Sequence, residues 1–258
     1  MLLAMDIGNT NITLGVFEGD TLKATWRVFT DPHRLSDEYS ALLQTLFPLK
    51  GISYQDVHAV IICSVVPPLT STFDELCRGY FGVTPMVVST GTRTGIRVMY
   101  DNPRDVGADR IVDSLAALKL YGGPVIVVDF GTATVFDAVS VGGEYLGGAI
   151  APGVNVAAEA LYLNTAQLRR VELARPQTAI GKNTIASLQS GLFTGHLAMI
   201  EGMVNRFREE MGEGVKVIGT GGLAPLFAKE TNVFHAVNIE LTLVGLRLVY
   251  ELNHPETS

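Results

Sequence analysis

The hydrophobic pattern near the N-terminus is that of strands interrupted by one polar segment. An apolar run leads into Asp6-Ile7-Gly8-Asn9-Thr10-Asn11, and residues 12–17 then resume as an apolar strand that turns at Glu18-Gly19-Asp20. Two apolar runs about a short polar segment predict a hairpin with the polar residues in its turn. Residues 21–29 read as a third strand, with Leu22, Ala24 and Trp26 alternating, and Asp31-Pro32 ends it. Ser36-Asp37-Glu38 starts a helix whose apolar face holds Leu42, Leu43 and Leu46. A buried strand is expected over 57–66, ended by Pro67-Pro68, then a helix over 70–81 and a short strand at 86–88.

Farther along, Asp105-Val106-Gly107-Ala108-Asp109-Arg110 leads into an apolar helix with Ile111, Leu115 and Leu118 on one face, stopped by Gly122-Gly123-Pro124. The strand-hairpin pattern then returns. Val127-Val128-Asp129-Phe130-Gly131-Thr132-Ala133-Thr134 aligns with residues 4–11, and each copy runs on into a strand, a glycine turn and another strand. One duplication is not an array, so a solenoid is excluded. It predicts two similar domains, 1–121 and 122–258, with mixed sheets and packed helices. Their Asp-x-Gly turns, facing each other, would form a nucleotide cleft between the domains.

In the second half Ala151-Pro152-Gly153 reads as a loop, followed by a helix over 156–163. Gly181-Lys182-Asn183-Thr184 precedes a long helix on which Ile185, Leu188, Leu192, Met199, Met203 and Phe207 recur at helical intervals until Gly212. Residues 215–218 read as a strand, Gly219-Thr220-Gly221-Gly222 opens a short helix, and a last helix spans 240–252.

Composition narrows the class. A hydrophobic content of 47% with 17% charged residues in 258 residues supplies ample core. The net charge of −7 comes with no basic stripe, which argues against a nucleic-acid partner. Cys63 and Cys77 match no metal or redox spacing; Cys63 lies in an apolar strand as a buried thiol, and a reduced, cytoplasmic setting is the simplest reading. No apolar run approaches the roughly 18 residues that span a bilayer, and no signal peptide or membrane partner is expected.

Several chemistries are excluded by motif. There is no Gly-x-x-x-x-Gly-Lys-Ser/Thr, no protein-kinase catalytic loop, and no Gly-x-Gly-x-x-Gly after the first strand. The five histidines are scattered, each reading as surface or core rather than as a ligand. What remains is the Asp6 turn. Gly8 lets a ligand approach the main chain, neighbouring N–H groups suit phosphate oxygens, and Asp6 suits Mg²⁺. Turns favour Gly, Asn and Thr for their own sake, but the second copy at Asp129 need not have kept an aspartate before its glycine.

In Gly107-Ala108-Asp109-Arg110 the carboxylate suits a first helical turn, whereas Arg110 gains nothing from the helix dipole there. Arg110 is therefore a candidate for a substrate carboxylate, and Asp109 for accepting a proton from a hydroxyl nucleophile. Gly219-Thr220-Gly221-Gly222 is either a tight turn or a bare surface against adenine or ribose. Thr184 is as well suited to a helix cap as to a ligand contact.

These five motifs, in this order, resemble type III pantothenate kinase over nearly the whole chain, within the actin, sugar kinase and heat-shock ATPase superfamily. The resemblance implies two ribonuclease-H-like domains and ATP-dependent phosphorylation of the primary hydroxyl of pantothenate, the first committed step of coenzyme A synthesis. It implies that Asp6, Ile7, Gly8, Asn9, Thr10, Asn11, Ile12 and Thr13 hold the ATP phosphates, with Asp6 organising Mg²⁺, and that Thr132 touches ATP. It further implies that Asp129 binds a monovalent cation, K⁺ or NH₄⁺. Tyr100, Gly107, Ala108, Asp109, Arg110 and Thr184 would contact pantothenate, with Asp109 as general base. A homodimer is implied, with the helix beginning near Thr184 as the candidate contact. The rivals are another small-molecule kinase of the superfamily, such as a sugar or acetate kinase, and a non-catalytic accessory regulator of transcription.

Overall fold

The structure is a computed structural model that describes residues 1–165 and 167–255. The chain forms two compact units. The first comprises Met1–Ile96, Tyr100–Ala116 and the chain from Leu241 on; the second comprises Arg97–Met99 and Ala117–Glu240.

The first unit is built on a five-stranded sheet in the order β3-β2-β1-β4-β5. Its strands are β1 (Leu2–Ile7), β2 (Asn11–Glu18), β3 (Thr21–Phe29), β4 (Ala59–Ser64) and β5 (Met86–Val87). β1 pairs antiparallel with β2 and parallel with β4, so the strand that ends in Asp6 lies at the centre. Side chains alternate across a strand, and β1 uses both faces. Leu3, Met5 and Ile7 enter one buried cluster with Tyr39, Leu43 and Phe73, from α1 (Ser36–Leu46) and α2 (Pro67–Leu76). Ala4 enters another with Val112 and Leu115 of α3 (Ala108–Tyr121). Asp6, two residues after Ala4, projects on that second face.

The second unit repeats this plan with β7 (Val125–Phe130), β8 (Ala133–Val139), β9 (Glu144–Pro152), β10 (Lys216–Thr220) and β11 (Ala236–Val237) in the order β11-β10-β7-β8-β9, and adds β6 (Arg97–Val98) beyond β9. β7 pairs antiparallel with β8 and parallel with β10, as β1 does with β2 and β4. The duplicated sequence is thus a duplicated topology, mixed α/β with two mixed sheets. Its helices are α4 (Val154–Leu163), α5 (Thr184–Gln189), α6 (Gly195–Met211) and α7 (Ala224–Ala228).

Four expectations are corrected. The second domain does not run to the C-terminus: α8 (Leu241–Asn253) belongs to the first unit, where Leu243, Leu246 and Val249 pack with Ala4, Phe17, Ile61 and Cys63. Gly15 makes room for this, since a Cβ there would stand 2.8 Å from Leu243 Cδ1. Pro67 and Pro68 open α2 rather than merely ending the strand, because proline fits a first helical turn, where the N–H has no partner. Ala151 and Pro152 extend β9 instead of looping, with Pro152 opposite Ala133 at the far end of the strand from β6. The long helix is interrupted by one π-helical turn, Ser190–Thr194, between α5 and α6, and Ile185 is 55% exposed rather than packed.

Candidate active site

In the first unit the Asp6 turn is closed by its own main chain. Gly8 N–H donates to Asn11 O (3.1 Å), and a Cβ on Gly8 would lie 3.1 Å from that same oxygen. Thr30, just past β3, pins the turn from outside: its hydroxyl donates to Gly8 O (2.7 Å) and its N–H to Thr10 O (3.0 Å). Asn9, Thr10 and Asn11 are exposed, and Asp6, Gly8 and Thr13 are half-buried. Ile7 and Ile12 are fully buried.

The second face of β1 brings Asp6 to the helix that carries Asp109. Asp6 sits opposite Cys63 in the β1–β4 register. Burial pushes the Cys63 thiol well above its ordinary range, and the negative charges of Asp6, Asp109 and Asp113 add to that push. The charges of three carboxylates, one from β1 and two from α3, thus act on one buried sulfur. Asp109 begins α3 and accepts a hydrogen bond from Arg110 N–H (2.8 Å). Burial nevertheless holds its carboxyl above the usual carboxylate range, outweighing that bond and the nearby guanidinium charge. Gly107 leaves room for this carboxylate, since a Cβ there would stand 2.4 Å from Asp109 Oδ1 and force it to shift. Ala108, Arg110 and Tyr100 are half-buried.

In the second unit Asp129 is the penultimate residue of β7, opposite Thr220 of β10. That pairing delivers Gly221, with φ +85°, to the carboxylate, and a Cβ there would lie 2.5 Å from Asp129 Oδ1. Gly131 N–H donates to Ala133 O (3.0 Å) and Gly153 N–H to Thr132 O (3.0 Å). Gly153 also has no space for a side chain, since its Cβ would meet Thr132 O at 2.5 Å. Thr132 itself is exposed. Two motifs 90 residues apart in sequence are thus one assembly of aspartate and bare main chain.

Thr184 is not the cap of α5. Asn183 takes that role, its side chain accepting from Ala186 N–H (2.9 Å). Thr184 is left exposed on a pocket of about 330 Å³ with Gln167, Arg169, Val171, Asn183, Ile185 and Leu188, none of which belongs to the Asp129 turn. The residues that the sequence reading missed are Thr30, Asp113, Gly153 and His196. Asp113 had a signal: it stands one helical turn after Asp109 inside an apolar stretch, a like-charge spacing that costs helix stability. Thr30 and Gly153 had none.

Among the described residues no group of three or more His, Cys, Asp or Glu side chains is arranged as a metal centre, and no helix is long and apolar enough to cross a membrane.

A sequence model of the family described as type III pantothenate kinase matches residues 2–206. The type III pantothenate kinase of Roseiflexus sp. (strain RS-1) is 53% identical over 253 residues, covering 98% of this chain and 99% of that protein. That of Myxococcus xanthus (strain DK1622) is 52% identical over 254 residues, covering 98% and 99%. Among solved structures, a candidate Baf family transcriptional activator from Campylobacter jejuni matches with a TM-score of 0.62 at 20% identity, covering 98% of this chain and 99% of the other. The inorganic polyphosphate/ATP-glucomannokinase from Arthrobacter sp. strain KM matches with a TM-score of 0.50 at 13% identity, covering 98% and 99%. At those identities the structures speak to the fold alone, an actin and sugar-kinase-like one. With half its residues shared along nearly its whole length, and with the duplicated aspartate turns and the Asp109 helix start in place, the chain belongs to the type III pantothenate kinase family.

Proposed function

We propose that this chain transfers the γ-phosphoryl group of ATP to the primary hydroxyl of pantothenate, with Asp109 as the general base. The observation that carries the reading is Asp109 itself. It is a carboxylate raised in proton affinity by burial and held at a helix start, and its charge, like that of Asp6, acts on the buried Cys63 thiol. A base is most effective when its proton affinity approaches the working pH, and burial moves Asp109 in that direction.

Phosphoryl transfer asks a protein for alignment and charge neutralisation more than for covalent chemistry. The main chain around Gly8, with Asn9, Thr10 and Asn11 exposed, offers N–H groups to phosphate oxygens. Ile7 and Ile12 contribute through main chain only, and Thr13 flanks them. Thr132 and Gly221 are the further residues assigned to the nucleotide. Arg110 takes the acceptor's carboxylate, and Tyr100, Gly107, Ala108 and Thr184 complete the acceptor's surroundings.

Mg²⁺ and a monovalent cation, when bound, neutralise phosphate charge. The residues present fit both. Asp6 is a half-buried hard oxygen donor beside an open turn, and Asp129 faces the main chain of Gly221 with no Cβ between. Single carboxylates of this kind hold cations together with substrate oxygens and water rather than as a closed cage.

The functional form is a cytoplasmic homodimer, a reading supported by two free buried cysteines and by exposed apolar side chains on and around α4 and α5. Leu161, Tyr162, Leu163, Ile180 and Ile185 would be covered by a second copy. The deciding experiment is an assay of phosphoryl transfer from ATP to pantothenate, a neutral sugar and acetate. Turnover confined to pantothenate is expected. Turnover of the sugar alone overturns the reading, and so does absence of turnover accompanied by DNA or RNA polymerase binding.

A further inference from the structure

Thr134 and His196 form a buried polar contact that none of these roles uses. Thr134 Oγ1 and His196 Nε2 are hydrogen-bonded at 2.9 Å, with Thr134 1% and His196 8% exposed. Thr134 lies two residues beyond Thr132 and pairs across the hairpin with Phe130, the residue after Asp129. Its hydroxyl is therefore attached to the main chain of the second acidic turn. The imidazole comes from the start of α6, and its ring centre is 6.5 Å from that of Phe130 and 5.1 Å from that of Phe227. Burial lowers the ring's proton affinity below that of an ordinary histidine.

The helix departs from regular α-helical geometry just ahead of this contact. The π-helical turn Ser190–Thr194 ends at the residue before α6, two positions ahead of His196. A π turn inserts one residue, which rotates every later side chain by about 100° relative to an unbroken α-helix. In an unbroken helix position 196 would point away from Thr134. A locally unfavourable turn is tolerated where it re-aims a side chain, and the side chain re-aimed here reaches the turn that carries Asp129 and Thr132.

We propose that His196 is a positioning residue for the reaction: through Thr134 it holds the main chain of the 129–134 turn in the geometry that receives nucleotide phosphate and the monovalent cation. This rests on the roles assigned above to Asp129 and Thr132. The ligand class is the anionic phosphate with its counter-ion, not the acceptor alcohol.

Four variants test it: His196→Phe, which keeps the ring volume; Thr134→Val, which keeps the shape; the two combined; and His196→Gln, which can restore the bond. The readouts are KM for ATP, the K⁺ concentration for half-maximal activation, KM for pantothenate and the melting temperature. His196→Phe and Thr134→Val are each expected to raise the ATP and K⁺ constants about fivefold, the usual weight of one hydrogen bond, with KM for pantothenate within about twofold of wild type. The combined variant is expected to be no worse than either single one, and His196→Gln to recover most of the loss. Unchanged ATP and K⁺ constants in folded Thr134→Val or His196→Phe overturn the proposal. So does a fall in melting temperature with all three constants moving together, or additive effects in the combined variant. Asp129→Ala, measured alongside, separates the two levels: if it shifts the ATP and K⁺ constants and the His196 variants do not, only the positioning role fails. If Asp129→Ala shifts neither, the underlying assignment fails with it.

Discussion

Gly221 stands so close to Asp129 that a Cβ at position 221 would lie 2.5 Å from Asp129 Oδ1, and 2.7 Å from the main-chain nitrogen and oxygen of Phe130. Its φ of +85° adds a second demand for glycine. Gly221→Ala must therefore push the carboxylate aside as well as strain the backbone, the strain alone costing roughly 1–2 kcal/mol. A lower urea midpoint is expected together with a weaker response to K⁺. Gly202→Ala, in α6 with open space around its Cβ, is the control and should be neutral or slightly stabilising.

Replacing Asp109 by asparagine keeps the shape and removes the proposed base. Turnover should fall by about 10²–10⁴-fold, while ATP binding measured by calorimetry stays near wild type. Stability should move the opposite way. Burial raises the folded-state proton affinity of Asp109 above that of the unfolded chain, so ionising it costs stability once the pH rises past the ordinary carboxylate range. At neutral pH the asparagine variant should be at least as resistant to urea as wild type, and the difference should shrink as the pH falls into that range. Wild-type activity in this variant would remove Asp109 from the mechanism.

Arg110→Gln should raise KM for pantothenate by about tenfold or more, the weight of hydrogen bonds between charged groups, and leave KM for ATP unchanged. Arg110→Lys should fall between, since it keeps the charge and loses the planar fork. Equal shifts in both Michaelis constants would place Arg110 on the phosphates instead.

Activity should depend on K⁺ or NH₄⁺, and Asp129→Ala should abolish that dependence with little loss of secondary structure by circular dichroism. Asp129 is half-buried at a strand end and belongs to no core cluster, so its loss leaves no large cavity. Equal rates for wild type in Na⁺-only and K⁺ buffers would count against the cation site.

The elements were largely legible in advance where periodicity was strong. β3 matches its expected bounds, α8 lies one residue from its own, and α3 and α7 form where helices were expected. The misses came where tertiary contacts override local preference. β6 and β11, two residues each, are too short to show a period and exist only because a neighbouring edge completes their hydrogen bonds. The π turn is invisible to a 3.6-residue pattern, because Ser190-Gly191-Leu192-Phe193-Thr194 contains nothing that breaks a helix decisively.

The amino-acid sequence alone determined the duplication, the two aspartate turns and the acidic start of the helix that carries Asp109, because each is written in adjacent residues whose conformational preferences are local. Only the tertiary structure decided that α8 returns to the first unit, that Gly221 meets Asp129, and that the charges of Asp6, Asp109 and Asp113 all act on Cys63. Those relations join residues many tens of positions apart, and strand register and burial, not local spacing, bring them together.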